Sequence, residues 1–531
     1  MKQDIPQNAE SPAVQNENGE STSTKKSSMG RREFVSMSAA AAAAFTIVPR
    51  HVLGGKGYVA PSDKVTLAYI GTGTEGIREM LPMLQVPEIQ IVAVCDPQKE
   101  ARGYRDWGTT YLRDAIRKTL NDSNWQPGGD GIIPGGRDCG QNIVNEYYSN
   151  QKNTDYKGCD AYEDVRDLLN KGKDIDAVKI MTPDHLHGVL SMAAMKRGKH
   201  VMMHKPISNR LLEGKKVIET ARNSKVITHF LPWDSNGSMD QVMQWINAGA
   251  IGTLTEVHNW TNRPVWPQYA NLPTDKPPVP QGFNWDLWIG PEAMRDYSPD
   301  YTNMVFRGWY DFGGGAMADM GHYSLWTVFN ALKLTSPTMV QPYRSHVVDF
   351  NGSVPFRINN DFAFPYASMV RFKYPANGNR GPVDLCWYDG GMRPPTPIEL
   401  MSAGKDLEQE GMMFVGEKGK ILAGFNVQNP VILSGTLTDN NAGKSNGPTS
   451  GGNNELQPLK DFAAACKSGK QNPGSFPEAE YLTEAVNLYA VGLRTNRVLL
   501  YDATQQKITN NDTANKYLSR EYRSGWDPDS I

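Results

Sequence analysis

The chain has little net charge and few cysteines, and each shortage excludes a class of protein. Its 531 residues include 55 Lys and Arg against 57 Asp and Glu, which gives a formal charge of -2. Such a balanced composition offers no basic surface to replace the counterions of a nucleic acid, so we predict no nucleic-acid partner. The five cysteines include no Cys-x-x-Cys pair, and a zinc ribbon is therefore not indicated. Only Cys139 and Cys159, in a glycine-rich stretch, are candidates for a disulfide.

The N-terminal region lacks a hydrophobic run long enough to cross a bilayer. Residues 37–48 are apolar, but a membrane-spanning helix needs about 20 such residues. The run follows Arg31 and Arg32, an order typical of a twin-arginine export signal. We therefore expect residues 1–60 to be a disordered leader and signal, with no membrane span and a periplasmic or otherwise exported location. A disordered leader on a cytoplasmic protein is the alternative.

A glycine-rich motif follows the first predicted strand. The strand KVTLAYI runs into GTGTEG and then into a helical pattern, which is the context that a dinucleotide-binding motif requires. In that motif Gly71 allows a tight turn, Gly73 lets a pyrophosphate approach the backbone, and Gly76 lets the helix pack on the strand. The helix start, with Thr74 and Glu75, would bind the pyrophosphate.

The next predicted strand, IQIVAVC, ends in an acid that indicates which dinucleotide is bound. Asp96 follows the last glycine at about the 20-residue distance of the acid that binds the ribose 2′-hydroxyl. A carboxylate at this place would repel the 2′-phosphate of NADP. The sequence therefore predicts NAD as the cofactor.

Helical and strand patterns then alternate along the chain. EDVRDLLNK, HGVLSMAAMKRG and LLEGKKVIETARN read as helices, and DAVKIMT, HVMMH and VITHFL read as strands. This order predicts an α/β Rossmann domain with a doubly wound parallel sheet. Ligands of such sheets bind at the carboxyl ends of the strands. We therefore expect Thr182, Pro183, His187, His204 and Lys205 at the cofactor.

Three regions follow from these patterns. We predict an NAD-binding domain over 61–235, interrupted by an insertion over 97–160 that is longer than a crossover needs. Successive strands without long helices, starting near Thr253, predict an α+β domain over 236–455 with a large, mostly antiparallel open sheet. Residues 456–531 are expected to form a C-terminal helix and a tail that packs back on both domains.

Tryptophans are concentrated between residues 233 and 326, and aromatic rings can stack on sugars. For any single tryptophan, a place in the core is the ordinary alternative. The loop NRPVW combines polar and aromatic groups directly after a strand. We predict six residues that contact a carbohydrate substrate: Trp233, Asn262, Arg263, Trp266, Arg307 and Trp309.

A second glycine-rich stretch, GGGAMADMGHY, precedes a predicted helix. Asp319 and Tyr323 are four residues apart and therefore share one face of that helix. A buried Tyr on a helix usually belongs to the core, and a lone His such as His322 usually has a structural role. The glycines, however, favour a helix start that approaches a ligand closely.

These motifs together resemble the Gfo/Idh/MocA oxidoreductase family. The resemblance rests on GTGTEG with Asp96, on TPDHLH, on the tripeptide HKP and on GGGAMADMG followed by His and Tyr, and it extends from about Lys64 to the end. The tail is similar to a secreted bacterial branch, which is related to glucose–fructose oxidoreductase and to NAD-dependent glycoside hydrolases. The resemblance implies hydride transfer between a sugar carbon and the nicotinamide, and a homo-oligomer.

The resemblance also implies roles for individual residues. Lys205 takes the place of the lysine that hydrogen-bonds the reacting hydroxyl, with Asp319 to orient it and Tyr323 as the acid/base. His187 matches a histidine near the nicotinamide, whereas His204 stands where the family usually has Glu. We expect the Lys205 ammonium and the positive charge of the nicotinamide to lower the Tyr323 pKa from its ordinary value near 10.

His322 is kept as a fourth candidate for catalysis, although it departs from the family pattern. It lies one residue before the position at which the family usually has its histidine. One residue turns a helical side chain by about 100°, so a simple replacement is not expected.

Three functions remain open at this stage. The leading one is a sugar or glycoside dehydrogenase that oxidises a ring hydroxyl, with C3 as a candidate position. The second is an NAD-dependent glycoside hydrolase that works by transient C3 oxidation and elimination. The third is a sugar-binding protein that has lost the chemistry, which the departures at His204 and Tyr323 motivate. We predict no metal site, because no carboxylate or thiolate spacing supports one formed by His185, His187 and His204.

Overall fold

The structure is a computed structural model that describes residues 63–126, 131–151, 156–172, 174–230, 238–433, 456–529 and 531. The expected leader and export signal lie outside the described residues, and so does Trp233. All described residues belong to one unit of the chain, which runs from Val59 to Ile531. None of the helices within these ranges is long and apolar enough to cross a membrane.

Six parallel strands form the N-terminal sheet. They are β1 Val65–Ile70, β2 Ile89–Cys95, β3 Asp160–Tyr162, β4 Ala177–Ile180, β5 His200–Met203 and β6 Thr228–Phe230. Their order is β3-β2-β1-β4-β5-β6. Strands β2 and β3 are added on one side of β1 and the last three strands on its other side, so the strand order switches between β1 and β4. Ligands bind at such a switch point, outside the carboxyl ends of the strands. The predicted Rossmann domain is confirmed.

Helices cover both faces of this sheet. They are α1 Thr74–Leu84, α2 Tyr111–Leu120, α3 Arg137–Asn150, α4 Val165–Lys171, α5 Asp184–Lys196 and α6 Leu211–Asn223. Along β1, Leu67 and Tyr69 join the core under α1, α2 and α3, while Ala68 and Ile70 join the core under α5 and α6. The alternation follows from the two-residue period of a strand, and burial of both faces explains why the strands are apolar throughout.

The insertion consists largely of α2 and α3, which sequence reasoning did not resolve. These helices pack beside α1 against the sheet, and the Tyr148 hydroxyl accepts a 3.0 Å hydrogen bond from the backbone N–H of Ile91 in β2. Cys139 and Cys159 are both buried as free thiols, so the candidate disulfide is wrong.

The second domain is built on a nine-stranded sheet. Its strands and one separate hairpin are β7 Leu254–Trp260, β8 Met339–Arg344, β9 Val348–Asn351, β10 Val354–Arg357, β11 Ser368–Tyr374, β12 Val383–Asp389, β13 Gly411–Gly416, β14 Lys420–Ala423, β15 Val431–Leu433, β16 Leu499–Asp502 and β17 Lys507–Ile508. The sheet order is β15-β14-β13-β7-β12-β11-β8-β16-β17, and β9 pairs only with β10. The pairing of β7 with β12 is parallel and the other pairings are antiparallel. The predicted, mostly antiparallel sheet is confirmed.

The remaining helices lie in the second domain and in the C-terminal segment. They are α7 Met239–Asn247, α8 Trp285–Ile289, α9 His322–Leu332, α10 Ile398–Ser402, α11 Gln457–Ser468, α12 Glu480–Thr495 and α13 Asp512–Asn515, with 3-10 turns at Asn303–Gly308 and Phe476–Ala479 and a π-helical turn at Met317–Gly321. Phe462 of α11 packs in the Rossmann core, whereas Tyr489 of α12 packs in the core shared with the nine-stranded sheet. Arg520, in the tail, is buried and pairs with Glu213 at 3.1 Å and with Glu292 at 2.7 Å. The C-terminal segment therefore ties the domains together.

Candidate functional site

A cavity of about 300 Å³ lies at the carboxyl ends of the Rossmann strands, where the first domain meets the second. Its wall combines the glycine turn, the ends of β2, β4 and β5, the insertion and the glycine-rich segment before α9. Most of the predicted site residues line it: Gly71, Gly73, Thr74, Glu75, Gly76, Asp96, Thr182, Pro183, His204, Lys205, Arg263, Trp266, Arg307, Asp319 and Tyr323.

The glycine turn requires glycine for steric reasons. Gly71 has a φ of 95°, and a Cβ at this position would lie 2.6 Å from the carbonyl oxygen of Met181. A Cβ on Gly76 would lie 2.2 Å from the carbonyl oxygen of Gly71. Helix α1 begins at Thr74, and Gly73 at its N-cap provides no side-chain cap. Such a helix start offers its backbone N–H groups to an anion.

Asp96 lies beside this turn at the end of β2. Its carboxylate accepts hydrogen bonds from the backbone N–H groups of Thr72 and Gln98, each at 2.8 Å. Burial raises the Asp96 pKa, although these hydrogen bonds and the Arg137 charge act in the opposite direction. Carboxylate oxygens have further lone pairs, so Asp96 can accept hydrogen bonds from ribose hydroxyls as well. The turn, the helix start and Asp96 therefore fit a dinucleotide.

Lys205 forms a buried ion pair with Asp319. The Nζ–Oδ1 distance is 2.6 Å, and the two side chains are 4% and 13% exposed. Arg307 lies 3.2 Å and Arg263 3.4 Å from the same carboxylate. Burial acts to raise the Asp319 pKa, but the Lys205, Arg307 and Arg263 charges outweigh it and lower this pKa to about 2. Asp319 is therefore a permanent anion that three cations share.

Burial and the Arg307 charge lower the pKa of Lys205, and the Asp319 carboxylate opposes this shift. The Lys205 Nζ atom lies 5.4 Å from the centre of the Tyr323 ring. A lysine held in one place by a carboxylate, with a lowered pKa, is a suitable hydrogen-bond donor to a reacting hydroxyl. The pair gives the cavity one defined donor beside the glycine turn.

Tyr323 forms a 2.9 Å hydrogen bond through its hydroxyl with Nε2 of His204. The expected lowering of the Tyr323 pKa by the Lys205 ammonium is wrong. Burial raises this pKa well above its ordinary value, and the carboxylates of Glu79, Glu75 and Asp319 add to the shift. The Lys205 ammonium does not produce the expected effect, since Asp319 already neutralises it at 2.6 Å.

His204 faces the cavity and is only 5% exposed. Burial and the positive charges of Lys205, Arg307 and Lys179 lower its pKa well below the ordinary value. The imidazole is therefore neutral at neutral pH, with one ring nitrogen available as an acceptor.

His322 and Trp309, both predicted for the site, lie in the core instead. His322 is fully buried, and its ring packs on Phe230 with centres 5.2 Å apart. Because adjacent helical positions point about 100° apart, Tyr323 faces the cavity and His322 faces the core. Trp309 stacks on Tyr269 with ring centres 4.4 Å apart and is 1% exposed, so it cannot stack on a sugar.

His187 and Asn262 do not line the cavity either. The ring nitrogens of His187 lie 2.6 Å from the carbonyl oxygen of Pro206 and 2.8 Å from that of Thr182. His187 therefore connects two strand ends that carry site residues. Asn262 accepts a 2.9 Å hydrogen bond from the Arg263 side chain, which it helps to position.

The three histidines considered for a metal do not form a common site. Both ring nitrogens of His185 face backbone carbonyls, at 3.3 Å and 2.9 Å, and the same holds for His187. Within the described ranges, Glu75, Glu79 and His204 bring potential ligand atoms within 4.8 Å of one another. The Glu79 carboxylate already pairs with Lys179 at 3.4 Å.

Sequence reasoning missed the part of the wall that the insertion supplies. Tyr104, Asp106 and Trp107 line the cavity, and a Cβ on Gly73 would lie 3.2 Å from the Tyr104 ring. Trp107 covers the Arg263 guanidinium at 5.3 Å. The Asn303 side chain donates a 2.6 Å hydrogen bond to the carbonyl of Gly103, so the second domain holds this segment in place. The aromatic pair in YRDW was the only available signal.

Two models of one protein family match adjacent parts of the chain. The first model describes the NAD-binding Rossmann fold of the Gfo/Idh/MocA oxidoreductase family and matches residues 141–230. The second describes the C-terminal alpha/beta domain of the same family and matches residues 239–341. The first match begins after the glycine turn, which the insertion separates from the rest of its domain. In these two stretches the chain is similar to the Gfo/Idh/MocA oxidoreductases, and the first stretch matches their NAD-binding Rossmann domain.

Individual relatives are distant. The chain is 32% identical over 98 residues to dTDP-3,4-didehydro-2,6-dideoxy-alpha-D-glucose 3-reductase of Streptomyces violaceoruber, covering 18% of this chain and 28% of that protein. It is 32% identical over 101 residues to levoglucosan dehydrogenase of Pseudarthrobacter phenanthrenivorans, covering 18% and 26%. The chain thus matches about a quarter of the length of either relative. The WlbA dehydrogenase of Bordetella pertussis, solved with NADH and UDP-GlcNAcA, superposes with a TM-score of 0.47 at 14% identity, covering 83% of this chain and 99% of that one.

Proposed function

We propose that the protein is an NAD-dependent oxidoreductase that transfers a hydride between a ring carbon of a sugar or glycoside and the nicotinamide. One observation carries this proposal: the Lys205–Asp319 ion pair and Tyr323 line the same cavity as the glycine turn and Asp96. Lys205, which can donate a hydrogen bond to a substrate hydroxyl, and Tyr323, which can transfer a proton, therefore lie next to the place at which a dinucleotide fits.

The residues of the cavity divide the work. NAD, when bound, supplies the hydride acceptor, and Gly73, Thr74 and Asp96 would hold it by its phosphates and ribose. Lys205 donates a hydrogen bond to the reacting hydroxyl and stabilises the negative charge that develops on its oxygen. Tyr323 exchanges the hydroxyl proton, a task for which geometry matters first and pKa second.

The second domain supplies groups that suit a carbohydrate. Trp266 lines the cavity and offers an aromatic surface, while Arg263 and Arg307 offer guanidinium donors to hydroxyl groups. A sugar is also what the curated relatives act on by name, a dTDP-linked hexose and levoglucosan. We propose oxidation at C3 as the reaction position, which is the position reduced by the first relative.

We also propose that the protein is exported to the periplasm in its folded form. Arg31 and Arg32 before the apolar run 37–48 support twin-arginine export. An exported enzyme cannot readily exchange NAD, and the insertion segment at 103–107 lies over the cofactor side of the cavity. A buried cofactor that remains bound through the reaction cycle agrees with both features.

The test uses the folded chain loaded with NAD and a panel of mono- and disaccharides. Nicotinamide absorbance and sugar products are followed in one sample, with Lys205→Met as the inactive variant and the exposed Lys276→Met as its matched control. NADH and a keto-sugar from wild type and from Lys276→Met, but not from Lys205→Met, would support the proposal. Cleaved glycoside with NAD unchanged would assign the hydrolase reaction, and silence from every sugar would favour a binding protein.

A further inference from the structure

The His204 ring, which forms the hydrogen bond with Tyr323, also lies near two carboxylates of α1. Glu75 and Glu79 stand four residues apart on α1 and therefore share one face. Their carboxylate oxygens and a ring nitrogen of His204 all lie within 4.8 Å of one another. A spacing of up to 4.8 Å can be bridged by one water molecule.

Glu79 connects this group to solvent on the side away from the sugar cavity. Its side chain is 31% exposed and lines an open groove between α1, α2 and α3. The Glu75 side chain is 43% exposed, but it lines the cavity and not the groove, and it pairs with Arg78 at 3.1 Å. Lys179 is fully buried, and its ammonium lies 3.4 Å from Glu79, where it balances the negative charge of this carboxylate. Of the two carboxylates, Glu79 is therefore the one placed to exchange protons with water in the groove.

We propose that His204 and Glu79 form a proton relay that carries the substrate proton from Tyr323 to the groove beside α1. The relay deepens the proposed function and rests on it. During oxidation the substrate hydroxyl gives its proton to the Tyr323 oxygen while the phenolic proton of Tyr323 moves to Nε2 of His204. His204 then passes a proton through a bridging water to Glu79, and Glu79 releases it to the groove.

The balance of this sequence is one hydride and one proton for each hydroxyl oxidised. The C–H bond gives its electron pair and hydrogen to NAD, and the O–H proton leaves through the relay. Tyr323 and Glu79 return to their starting states, and His204, which ends as the other neutral tautomer, regains the first one by exchanging its ring protons through the bridging water before the next turnover. Reduction of a carbonyl runs the same steps in reverse, with the proton entering from the groove.

The relay accounts for a feature that a simple tyrosinate mechanism does not explain. The raised pKa of Tyr323 means that the phenol is neutral at neutral pH and cannot serve as a stored base. A neutral phenol that gives one proton as it takes another does not need to be ionised beforehand. The neutral imidazole of His204 supplies the acceptor, because burial, together with the charges of Lys205, Arg307 and Lys179, lowers its pKa and keeps it from being protonated at rest.

The relay also uses the departure of His204 from the glutamate that the family usually has at this position. A carboxylate there would add a third acid to Glu75 and Glu79. An imidazole has two ring nitrogens and can receive a proton on one while giving up a proton from the other. His204 and Glu79 act through Tyr323 and are therefore positioning and relay residues rather than catalytic residues.

Substitution of Glu79 by Gln tests the proposal, because Gln keeps the size and an oxygen that can accept from Lys179, but it cannot carry a proton and does not balance the Lys179 charge. Glu146 lines the same groove, and Glu146→Gln is the matched control. We expect Glu79→Gln to lower kcat about 10- to 100-fold with the sugar KM and the NADH affinity unchanged. The solvent deuterium isotope effect on kcat should rise at the same time, and Glu146→Gln should behave as wild type.

A rescue experiment separates a relay from a structural role. Acetate added to Glu79→Ala can enter the open groove and take over the carboxylate, so we expect kcat to rise with acetate concentration, and His204→Phe to gain nothing. A Glu79→Gln variant with wild-type kcat, or a loss that acetate does not restore in Glu79→Ala, would overturn the relay while leaving the oxidoreductase in place. Absence of hydride transfer in the wild type itself would overturn both.

Discussion

Lys205 and Asp319 come from different domains and meet at 2.6 Å in the wall of the cavity. The lysine follows the fifth strand of the Rossmann sheet, and the aspartate lies in the π-helical turn before α9. Neither side chain can ionise alone at such depth without a large cost, so each holds the other in its charged form. The active geometry therefore depends on the docking of two domains.

Removal of the carboxylate should destabilise the protein and impair the reaction together. Asp319→Asn leaves Lys205 buried without its counter-ion, and we expect a loss on the order of 3 kcal/mol in the free energy of unfolding. Urea unfolding at neutral pH measures it. An unchanged unfolding midpoint would contradict the structural role given to this pair.

The Lys205–Asp319 ion pair stabilises the fold only while the Asp319 carboxylate is ionised, so its contribution is lost at low pH. The folded-state pKa of Asp319, about 2, lies below its ordinary value of 3.8, so its stabilising contribution is present above pH 3.8 and is lost as the pH falls through 2. In wild type, hydride transfer should not show a titration of this carboxylate between pH 5 and 8. A pH–rate profile checks this expectation.

His322 should be dispensable for the reaction and important for stability in acid. We expect His322→Leu to keep kcat within about twofold, because the ring faces Phe230 and not the cavity. Burial lowers the His322 pKa from 6.5 to about 3, so its contribution to stability is full above pH 6.5 and is lost as the pH falls toward 3.

The pH dependence of unfolding tests this second part. Between pH 7 and pH 5 the free energy of unfolding of the wild type should fall by about 2 kcal/mol because of His322. The reason is that pH 5 lies 1.5 units below the ordinary pKa of 6.5, and each unit corresponds to about 1.4 kcal/mol. The Leu variant should lose less over the same interval. Equal slopes for the two proteins would show that this histidine titrates alike in the folded and unfolded chain.

Tyr104 should slow the release of the cofactor. Its ring lies against the glycine turn, where a Cβ on Gly73 would approach it to 3.2 Å. We expect Tyr104→Ala to raise the NADH dissociation rate about tenfold, as the loss of one aromatic contact implies. Tyr111→Ala is the control, since this tyrosine is 66% exposed on α2. Stopped-flow fluorescence of bound NADH measures both rates.

Asp96 should decide between NAD and NADP. Asp96→Asn removes the charge that repels a 2′-phosphate and keeps one of the two oxygens that accept from the Thr72 and Gln98 amides. We expect the ratio of NADP to NAD affinity to increase about tenfold, the effect of one close like charge. Titration of both reduced cofactors by fluorescence gives this ratio, and no change in it would remove Asp96 from the ribose site.

The sequence predicted the Rossmann domain closely because its signals are local. IQIVAVC was predicted as a strand over 89–95, and β2 spans Ile89–Cys95. The glycine spacing and the acid after β2 likewise depend on a single turn. The short strands β16 and β17 were missed, since two to four residues carry no periodic pattern.

The failures at the site have a common physical cause, which is burial. The prediction of the Tyr323 pKa considered the charge of Lys205 but not the desolvation of the phenol. It also left out the Glu75 and Glu79 carboxylates, which lie on α1 and are distant from Tyr323 in the sequence. Trp309 was assigned to the sugar by residue type, although its partner Tyr269 encloses it in the core. The insertion residues that line the cavity follow no motif, so only the fold brings them to it.

The most direct test of the central claim follows the hydrogen atom itself. The NAD-loaded chain is mixed with a sugar deuterated at its ring carbons, and the mass of the recovered nicotinamide cofactor is measured in wild type and in Lys205→Met. We predict NADH that is heavier by one deuterium in the wild type and unlabelled NAD in the variant. NADH without deuterium, or equal labelling in both proteins, would contradict direct hydride transfer at the Lys205 site.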